Sequence, residues 1–402
     1  MTMRVSIMGS TGSVGRSALS VMAHAGSVSE DPVFSIDTLT ANSDVDTLAR
    51  QSITYNARLA VVADDRAYKE LKSQLAGTGI EVAAGADAIA EAAARPVDRL
   101  LAAIVGIAGL RSTYSALKAG NSVALANKES MVCAGPLLKR VAQKTGAHII
   151  PTDSEHNAMF QVLERQEDVE KLVLTASGGP FLKTPLANLH NVTPEQACAH
   201  PRWSMGRKIS VDSATFMNKA LELIEAAYLF EMPQQRIDVL VHPQSIIHSL
   251  VAYRDGSVLA QLGSPDMKTP IAHALSWPER RLPTDVERLN LVDLAQLDFL
   301  AVDDARFPAI RLARQALDEG GGAPTVMNAA NECAVEAFLN GRCRFTDISD
   351  VVEAALGDRS LSGVSAGDAA SLDDIIALDA EVRQRSGRLI AEASLRTGSE
   401  VE

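Results

Sequence analysis

The sequence predicts an α/β protein that opens with a doubly wound parallel sheet, continues into a second sheet and ends in helices. Short apolar runs alternate with helical patterns over residues 1–150, which is typical of βαβ units. That alternation stops after residue 156. From Phe307 to the end the pattern is helical, rich in alanine and poor in aromatic residues. We therefore expect a parallel-sheet domain, a mixed second domain and a C-terminal helical bundle.

The composition fits an ordinary soluble protein of two or three domains, with 402 residues, 47% hydrophobic and 22% charged. No run approaches the length of a membrane span, and the N-terminus enters a strand at once, so we expect a cytoplasmic protein. A net charge of −12 argues against nucleic acid as a partner. The cysteines Cys133, Cys198, Cys333 and Cys343 are scattered, which makes a structural zinc site or a disulfide framework a poor fit.

The first strand and helix carry a pattern typical of dinucleotide binding. Residues 4–8 form an apolar strand that runs into Gly9-Ser10-Thr11-Gly12-Ser13-Val14-Gly15, and a helical pattern follows over 16–25. Glycines permit a tight turn and a close approach of the backbone, while the helix N-terminus faces a pyrophosphate. This strand, turn and helix at the start of the chain predict a dinucleotide site.

The second strand, over 34–40, ends in Ala41-Asn42-Ser43. An NAD-specific site would usually carry an acid at that tip to hold the ribose 2′-hydroxyl. Asp37 lies inside the strand and Asp44 beyond the turn, so the sequence favours NADP. The tip also lacks an Arg or Lys to receive a 2′-phosphate.

The same rhythm continues with strands over 59–63, 99–105, 122–126 and 147–150, and with helices over 68–76, 109–119 and 135–145. Asn127-Lys128-Glu129 follows one of these strands directly. These residues belong either to a site at the carboxyl edge of the sheet or to a turn with a helix cap. The sequence leaves both interpretations open.

Two acids follow the last of these strands, in Pro151-Thr152-Asp153-Ser154-Glu155-His156. If the segment is extended there, Asp153 and Glu155 point to the same side and converge. Hard divalent ions such as Mg²⁺ or Mn²⁺ favour such oxygen ligands. The alternative is that Asp153 caps the next helix and Glu155 is a first-turn acid.

Further polar groups lie between residues 171 and 225. A strand opens into the small-residue turn Ser177-Gly178-Gly179, which offers N–H groups and a hydroxyl to an anion. Residues 200–207 are irregular and contain Trp203, either as a packed loop anchor or as part of a substrate lid.

The stretch from Ser213 to Glu225 predicts a helix capped by Ser213 or Thr215. One face carries Asn218 and Glu222, and Lys219 and Glu225 flank them. Because the neighbouring residues are apolar, we expect these polar groups to be buried and to need partners. Glu222 is thus a candidate third carboxylate for a metal.

Three more strands, over 236–242, 245–251 and 257–262, suggest a second, mixed or antiparallel sheet. Residues 278–305 contain prolines and little periodicity and predict a linker. The domain boundaries that we expect are 1–150 for the NADPH-binding domain, 151–277 for the metal and substrate domain, 278–305 for the linker and 306–402 for the helical bundle.

The motifs occur together in an order that resembles one family. They are Gly9-Ser10-Thr11-Gly12-Ser13-Val14-Gly15, Ala126-Asn127-Lys128-Glu129-Ser130, Pro151-Thr152-Asp153-Ser154-Glu155-His156, Ala176-Ser177-Gly178-Gly179-Pro180-Phe181, His200-Pro201-Arg202-Trp203-Ser204-Met205-Gly206, Asp212-Ser213-Ala214-Thr215, Asn218-Lys219 and His242-Pro243-Gln244-Ser245. The chain resembles the 1-deoxy-D-xylulose 5-phosphate reductoisomerases over essentially its whole length. The resemblance implies an N-terminal Rossmann-like doubly wound sheet, a central α+β catalytic domain with a flexible lid at 198–208, and a C-terminal four-helix bundle, assembled as a homodimer.

The resemblance also implies roles for single residues. The divalent-metal ligands would be Asp153, Glu155 and Glu222, which with Lys219 and His200 form the implied catalytic set. The substrate-binding residues would be Ser154, Ser177, His200, Trp203, Ser213, Asn218, Lys219 and His248, with Met205 as a second lid residue. The cofactor-binding residues would be Thr11, Gly12, Ser13, Val14, Asn42, Asn127, Lys128, Glu129, Gly206 and Met267. Where the family often has Gly-Lys-Asn or a basic residue, this chain has Asn42-Ser43-Asp44.

The implied activity is a reductoisomerase that depends on NADPH and on Mn²⁺, Mg²⁺ or Co²⁺. It would rearrange the carbon skeleton of 1-deoxy-D-xylulose 5-phosphate and then reduce the resulting aldehyde to 2-C-methyl-D-erythritol 4-phosphate. Either Glu155 or Lys219 would move protons, and the sequence leaves that choice open. Two alternatives remain at this point: an NADP-dependent dehydrogenase without a metal, and a non-catalytic dinucleotide sensor.

Overall fold

A computed structural model describes residues 2–29, 33–201, 203, 205–278, 282–358, 361 and 370–398, with side chains up to residue 393. The chain divides into two compact units. The first unit comprises Met1–Ser130, Leu138–Asn157 and Asp266–Arg288, and the second comprises Met131–Leu137, Ala158–Pro265 and Leu289–Glu402. The boundaries predicted from the sequence follow chain order and stay a prediction.

The first unit contains the predicted parallel sheet, with seven strands among the described residues. Their order is β4-β3-β2-β1-β5-β6-β7, and every neighbouring pair is parallel. The strands are β1 (Met3–Met8), β2 (Phe34–Ala41), β3 (Leu59–Val62), β4 (Glu81–Ala84), β5 (Arg99–Ala102), β6 (Val123–Leu125) and β7 (Ile149–Pro151). The strand order reverses at β1, so the glycine turn that follows β1 lies at the switch point, where open α/β sheets bind ligands.

The helices accompany these strands as the alternating pattern predicts. In chain order they are α1 (Ser13–Ser27), α2 (Val45–Thr54), α3 (Tyr68–Gln74), α4 (Ala86–Ala93), α5 (Leu110–Lys118), α6 (Lys128–Thr145), α7 (Ser154–Val162), α8 (Pro194–Cys198), α9 (Arg207–Ala214), α10 (Met217–Leu229), α11 (Lys268–Ser276), α12 (Leu291–Leu294), α13 (Ala309–Glu319), α14 (Ala323–Leu339), α15 (Asp347–Gly357) and α16 (Leu372–Gly398). Helices α2 and α4 and strand β4 were not predicted from the sequence. In α2, Val45, Leu48 and Ala49 are buried at helical spacing.

Helix α6 begins seven residues earlier than predicted, at Lys128 instead of Gly135. The prediction was late because the helix is kinked. Ala134 has non-helical dihedrals (φ −134°, ψ 20°), and Pro136 lies inside the helix. Proline lacks a backbone N–H and disrupts the preceding turn. The first turn of α6 therefore contains Lys128 and Glu129, next to the end of β6.

The second unit contains a five-stranded mixed sheet in the order β11-β10-β8-β9-β12 within the described residues. Its strands are β8 (Val169–Ala176), β9 (Ile237–Val241), β10 (Ile247–Tyr253), β11 (Val258–Leu262) and β12 (Leu300–Ala301). Strands β8 and β9 are parallel, and the other pairs are antiparallel. Strand β12 lies in the segment predicted to be a linker. That segment is not wholly irregular, since Leu300 and Ala301 pair with Val241 and Leu240.

The C-terminal helices form the predicted bundle, in which α14 lies against α13, α15 and α16. One apolar core joins these helices to the second sheet and to α10. In that core the ring of Phe216 stacks on the ring of Phe307, with centroids 4.0 Å apart and planes inclined by 18°. Across the described residues, none of the helices combines the length and the apolar character that crossing a lipid bilayer requires.

Candidate functional site

The glycine turn after β1 is held in place by the neighbouring strand and helix. The Gly9 N–H donates to Thr40 Oγ1 (2.9 Å), and Gln51 on α2 accepts from Ser10 Oγ at 2.7 Å. Gly9 has φ +91°, and a Cβ there would lie 2.8 Å from the Ala103 carbonyl oxygen. A Cβ on Gly15 would lie 2.4 Å from the Gly9 oxygen. Both positions therefore need glycine for α1 to pack against the turn.

The N-terminus of α1 is suited to a pyrophosphate. Gly12 is the N-cap residue and has no side chain that would occupy the first-turn N–H groups. Thr11 is half-buried, Gly12 and Ser13 are exposed, and Val14 is half-buried. The four residues predicted to contact a dinucleotide thus line one turn, and the helix dipole favours an anion there.

Asn42 lies at the exposed tip of β2, at the same carboxyl edge of the sheet. Asp44, two residues on, caps α2 by accepting from the Thr47 N–H at 3.1 Å. Met267 is the N-cap residue of α11 in the first unit and is half-buried. Gly206 is the N-cap residue of α9 in the second unit and is exposed.

Asn127 is the N-cap of α6, so the capping interpretation of Asn127-Lys128-Glu129 is correct for this residue. Its Oδ1 accepts from the Ser130 N–H at 3.0 Å. Its amide also donates to the Gly106 carbonyl and to Glu129 Oε2, both at 3.0 Å. Asn127 therefore ties the loop after β5 to the loop after β6, and all three residues of the motif are buried.

Lys128 forms an ion pair with the first predicted metal carboxylate. Its Nζ lies 2.5 Å from Asp153 Oδ2, and His156 Nδ1 lies 3.6 Å from Asp153 Oδ1. Burial by itself raises the pKa of Asp153, but the Lys128 ammonium and the contact with His156 hold that pKa well below its ordinary value. Asp153 is therefore ionised at neutral pH. Lys128 and Asp153 follow the adjacent parallel strands β6 and β7, and the sequence alone does not show that adjacency.

Glu155 lies in the first turn of α7, because the helix already begins at Ser154. The prediction that an extended backbone points Asp153 and Glu155 to one side is therefore wrong. A carboxylate oxygen of Asp153 nevertheless lies within 4.8 Å of one of Glu155. Ser154 Oγ donates to Glu155 Oε2 at 2.5 Å. The two acids still converge, through a strand-to-helix turn.

In the second unit, Ser177 and His200 form a hydrogen-bonded pair after β8. The Trp203 N–H donates to His200 Nδ1 (2.9 Å), so the other ring nitrogen, Nε2, donates to Ser177 Oγ at 3.0 Å. The Gly179 N–H donates to the same hydroxyl at 3.2 Å. Burial lowers the pKa of His200, which favours the neutral imidazole that this pattern requires.

Gly179 lets this turn approach the end of α9. It has φ +64°, and a Cβ there would lie 2.9 Å from the Ser213 carbonyl oxygen. The sequence suggested Ser213 as a cap of α10. In the structure Ser213 lies in the last turn of α9 and does not cap α10. The N-cap of α10 is Phe216, and Thr215 Oγ1 accepts from the Met217 N–H at 3.3 Å.

Residues of the predicted lid lie between α8 and α9, where Trp203 and Met205 are both half-buried. The prediction for Arg202 and Ser204 falls outside the described residues. The ring centroid of Trp203 lies 6.2 Å from that of His248 on β10. Burial lowers the pKa of His248 to about 4, with Lys219 and His242 adding to that shift. His248 is therefore neutral at physiological pH.

Helix α10 presents a buried cluster of polar groups, as its apolar neighbours predict. Asn218 Nδ2 donates to Glu222 Oε1 at 2.5 Å, and the Lys219 ammonium forms an ion pair with Glu222 Oε2. Lys219 is 4% exposed and Glu222 is 1% exposed. Glu222 belongs to the second unit, while Asp153 and Glu155 belong to the first. Its place beside them stays a prediction.

The partners that orient these groups were not predicted from the sequence. Gln51 and Thr40 fix the glycine turn, and nothing in the local pattern of either residue points to that role. Asp212 is buried on α9, where it pairs with Lys208 (2.9 Å) and accepts from Asn331 Nδ2 at 2.8 Å. The spacing of Lys208 and Asp212 is a helical i, i+4 pair and was a usable signal.

Family models match three parts of the chain. The model described as 1-deoxy-D-xylulose 5-phosphate reductoisomerase matches residues 5–135. The C-terminal domain of the same enzyme matches residues 149–230, and the DXP reductoisomerase C-terminal domain matches residues 262–385.

Curated relatives and solved structures match over nearly the full length. The 1-deoxy-D-xylulose 5-phosphate reductoisomerase of Rhizobium johnstonii is 52% identical over 97% of each chain, and that of Caulobacter vibrioides is 50% identical over 98% of each. The structure of the Zymomonas mobilis enzyme in complex with NADPH is 46% identical, with a TM-score of 0.88 over 97% of this chain and 99% of that one. A DOX-P reductoisomerase structure in complex with NADPH, fosmidomycin and magnesium is 41% identical, with a TM-score of 0.91 over 96% and 98%.

Proposed function

Because the chain belongs to the 1-deoxy-D-xylulose 5-phosphate reductoisomerase family, we propose roles for the residues described above in the reaction of that family. The protein is an NADPH- and divalent-metal-dependent oxidoreductase that converts 1-deoxy-D-xylulose 5-phosphate to 2-C-methyl-D-erythritol 4-phosphate. A skeletal rearrangement precedes the hydride reduction of the resulting aldehyde. The observation that supports this function most strongly is the match to the family over nearly the whole chain. It argues against the two alternative functions, a metal-free dehydrogenase and a non-catalytic dinucleotide sensor.

The proposed metal ligands are Asp153, Glu155 and Glu222. The donor set fits a hard divalent cation, since all the candidate ligand atoms are carboxylate oxygens and Asp153 is held ionised. Mg²⁺ accompanies the related structure with fosmidomycin, and we extend the proposal to Mn²⁺ and Co²⁺, which bind similar oxygen ligands. When bound, the metal supplies a Lewis acid to the carbonyl and hydroxyl oxygens of the substrate, and NADPH supplies the hydride.

The proposed phosphate site consists of Ser177, Ser213, Asn218 and Lys219. The approach of the Ser177 turn to the end of α9, which Gly179 permits, supports a shared site for Ser177 and Ser213. Lys219 supplies a cation that is already buried and paired, and the serines and Asn218 supply hydrogen bonds. Binding a phosphate far from the reacting carbons positions the substrate and favours closure of the lid.

The remaining substrate contacts are assigned to side chains that bound the substrate site and exclude water from it. Ser154 and His200 contact the hydroxyl end of the substrate, and Trp203 and Met205 close over it. His248, neutral at physiological pH, faces the Trp203 ring and bounds the reacting centre. Exclusion of water protects an aldehyde and an enediolate from side reactions.

The proposed NADPH contacts begin at the glycine turn with Thr11, Gly12, Ser13 and Val14, where the unoccupied first-turn N–H groups suit a pyrophosphate. They continue along the carboxyl edge with Asn42, Asn127, Lys128 and Glu129. Gly206 and Met267, the two N-cap residues described above, complete the set.

We also propose that the protein is a homodimer. Strand β11 is at one edge of the second sheet, and it exposes Val258 (54%), Leu259 and Leu262. An exposed apolar edge strand offers unpaired backbone groups and apolar side chains for pairing with another chain. Light scattering should give a dimer mass for the native protein and a monomer mass for Val258→Asp, whereas Val28→Asp, at the exposed end of α1, should leave the dimer intact.

A cytoplasmic location is part of the proposal. Among the described residues no disulfide joins the cysteines, which suits a reducing compartment. Fractionation of the native host, with the protein detected outside the soluble cytoplasmic fraction, would contradict this location.

The first experiment follows NADPH oxidation with 1-deoxy-D-xylulose 5-phosphate, before and after EDTA and then with Mn²⁺ or Mg²⁺ restored. We expect oxidation to stop on chelation and to return with the metal. Oxidation that survives thorough chelation would refute the carboxylate site, and tight NADPH binding without turnover under any metal condition would refute the assigned reaction.

A further inference from the structure

The tip of β2 lacks the positive charge that a 2′-phosphate needs. Its residues Asn42 and Ser43 are neutral, and Asp44 is an acid whose carboxylate is engaged at the start of α2. In this class of fold an Arg nearby accommodates the 2′-phosphate of NADP. The cation must therefore come from a segment that lies beside the tip.

The loop after β3 is that neighbouring segment. Strands β2 and β3 are parallel and adjacent, so both end at the same edge of the sheet. Their backbones remain bonded beyond the strands, since the Ala63 N–H donates to the Ala41 oxygen at 2.9 Å and the Asp64 N–H donates to the Asn42 oxygen at 3.0 Å. Arg66 follows two residues after this last contact.

The Arg66 side chain is exposed and oriented by Asp64. Its Nε lies 2.9 Å from Asp64 Oδ1 and its Nη2 lies 2.8 Å from Asp64 Oδ2, while 91% of the side chain remains exposed. A guanidinium has five N–H donors, so Asp64 uses one edge of the group and leaves the other edge for a phosphate. The same ion pair holds the Asp64 carboxylate at one edge of the guanidinium, so Asp64 offsets part of the Arg66 charge but leaves the other edge of N–H donors to a phosphate.

Arg50 is a less suitable source of the cation. It lies on α2, five residues beyond the start of the helix, where its Nη2 donates to Thr47 Oγ1 at 3.3 Å. At 1.5 Å per residue the helix has moved its backbone roughly 8 Å from the tip of β2. Arg66, by contrast, belongs to a loop that is hydrogen-bonded to the tip itself.

We propose that Arg66, oriented by Asp64 and two residues beyond the backbone contact of Asp64 with Asn42, binds the 2′-phosphate of NADPH and sets the preference of this enzyme for NADPH over NADH. The proposal rests on the NADPH site proposed above and assigns the group that discriminates between the two dinucleotides there. It explains how a chain with Asn42-Ser43-Asp44 at the tip holds a phosphorylated ribose.

The test is a set of binding constants that do not depend on turnover. Fluorescence titration gives the Kd of NADPH and of NADH, and calorimetry gives the Kd of 2′,5′-ADP and of 5′-AMP. In Arg66→Met we expect the Kd of NADPH and of 2′,5′-ADP to rise about tenfold or more, since a lost charge-assisted hydrogen bond has that effect. The Kd of NADH and of 5′-AMP should change less than about twofold. Arg66→Lys, which retains the charge but not the fork, should lie between the two.

Arg58→Met is the matched control. Arg58 immediately precedes β3, at the opposite edge of the sheet, and it is exposed, so the change in net charge is the same. All four dissociation constants should stay at their native values in this variant. An equal increase for Arg58→Met would overturn the proposal, because the effect would then come from net charge alone.

The remaining outcomes separate this inference from the function on which it rests. Unchanged NADPH binding in Arg66→Met, or equal weakening of NADPH and NADH, refutes the role of Arg66 and leaves the NADPH site standing. Failure of the native protein to bind NADPH or 2′,5′-ADP refutes the NADPH site, and with it this inference.

Discussion

Lys128 Nζ lies 2.5 Å from Asp153 Oδ2, so a nearly buried ammonium neutralises a nearly buried carboxylate at the carboxyl edge of the first sheet. The side chains are only 7% and 12% exposed. The two residues follow neighbouring strands, β6 and β7, and the pair therefore links the proposed cofactor motif to the proposed metal motif. Removal of either charge takes from the other an opposite charge at 2.5 Å in a nearly buried site.

Lys128→Met should therefore destabilise the protein by about 3 kcal/mol, which is typical when one partner of a buried ion pair is removed. The pKa of Asp153 should rise in the variant, since burial is then opposed mainly by the contact with His156. Urea unfolding in the presence of EDTA measures the loss. Added Mg²⁺ should recover part of it, because a cation that binds the folded carboxylates stabilises the folded state.

Lys171→Met is the control for this variant. Lys171 pairs with Asp238 at 3.1 Å, but both side chains are close to half exposed, so the loss should stay below about 1 kcal/mol. Similar losses in the free energy of unfolding for the two variants would contradict the idea that burial makes the removal of the Lys128 charge costly.

Glu222→Gln tests the third proposed metal ligand. Glutamine keeps an oxygen that can accept from Asn218, but it removes the negative charge that a divalent cation and Lys219 both require. We expect kcat/KM for 1-deoxy-D-xylulose 5-phosphate to fall by about 100-fold or more, beyond the usual effect of residues that only orient metal ligands. NADPH binding, followed by fluorescence, should be unchanged. Near-normal activity would contradict a role of Glu222 in the metal site. The control is Glu170→Gln, on the exposed face of β8, which should retain full activity.

The sequence was sufficient to predict most of the sheet architecture. Fully buried runs such as Leu59–Val62 and short strands such as Val123–Leu125 have an apolar character that survives without tertiary information. The prediction failed where the local signal was weak or misleading. Strand β4 consists of Glu81, Val82 and two alanines, and the early start of α6 is hidden by Pro136, which ordinarily marks a helix boundary.

The candidate metal carboxylates follow from the residues themselves, whereas most other single-residue roles rest on the motif resemblance, and all of these roles stay predictions. An extended backbone does not bring Asp153 and Glu155 together, since α7 already begins at Ser154. Their carboxylates converge through the strand-to-helix turn instead. Contacts between segments far apart in the chain were also missed, including those of Gln51 with the glycine turn and of Lys128 with Asp153. Such contacts depend on strand order and on loop geometry, which a single sequence does not encode locally.

Gly179→Ala should damage the proposed phosphate site. The residue has φ +64°, and its Cβ would meet the Ser213 carbonyl oxygen at 2.9 Å, so the Ser177 turn and the end of α9 must move apart. We expect the KM for 1-deoxy-D-xylulose 5-phosphate to rise about tenfold as the phosphate loses one hydrogen bond to the displaced turn. The free energy of unfolding should fall by about 2–3 kcal/mol from backbone strain and overpacking together.

Gly341→Ala separates these two causes. Gly341 has φ +69° but open space around its Cβ, so alanine there should cost about 1 kcal/mol from the left-handed backbone alone. Its KM should equal the native value. A normal KM in Gly179→Ala, with a loss of stability no larger than that of Gly341→Ala, would show that the contact with Ser213 does not shape the site.

His248→Gln should reduce the decrease in the free energy of unfolding that accompanies a fall in pH from 6.5 towards 4. Burial lowers the pKa of His248 to about 4 in the folded protein, whereas the unfolded chain titrates near the ordinary value of 6.5. Between these values the unfolded state binds more protons, so this residue lowers the free energy of unfolding as the pH falls from 6.5 towards 4, by about 3 kcal/mol in total. Its contribution is constant above pH 6.5. Urea unfolding at pH 7.0 and 4.5 should therefore show a smaller loss of stability in His248→Gln than in the native protein, by about 2 kcal/mol. His190→Gln, an exposed histidine on the short helix Leu186–Asn191, should lose as much as the native protein. An equal loss in all three proteins would mean that His248 takes up its proton in the folded state as readily as in the unfolded chain.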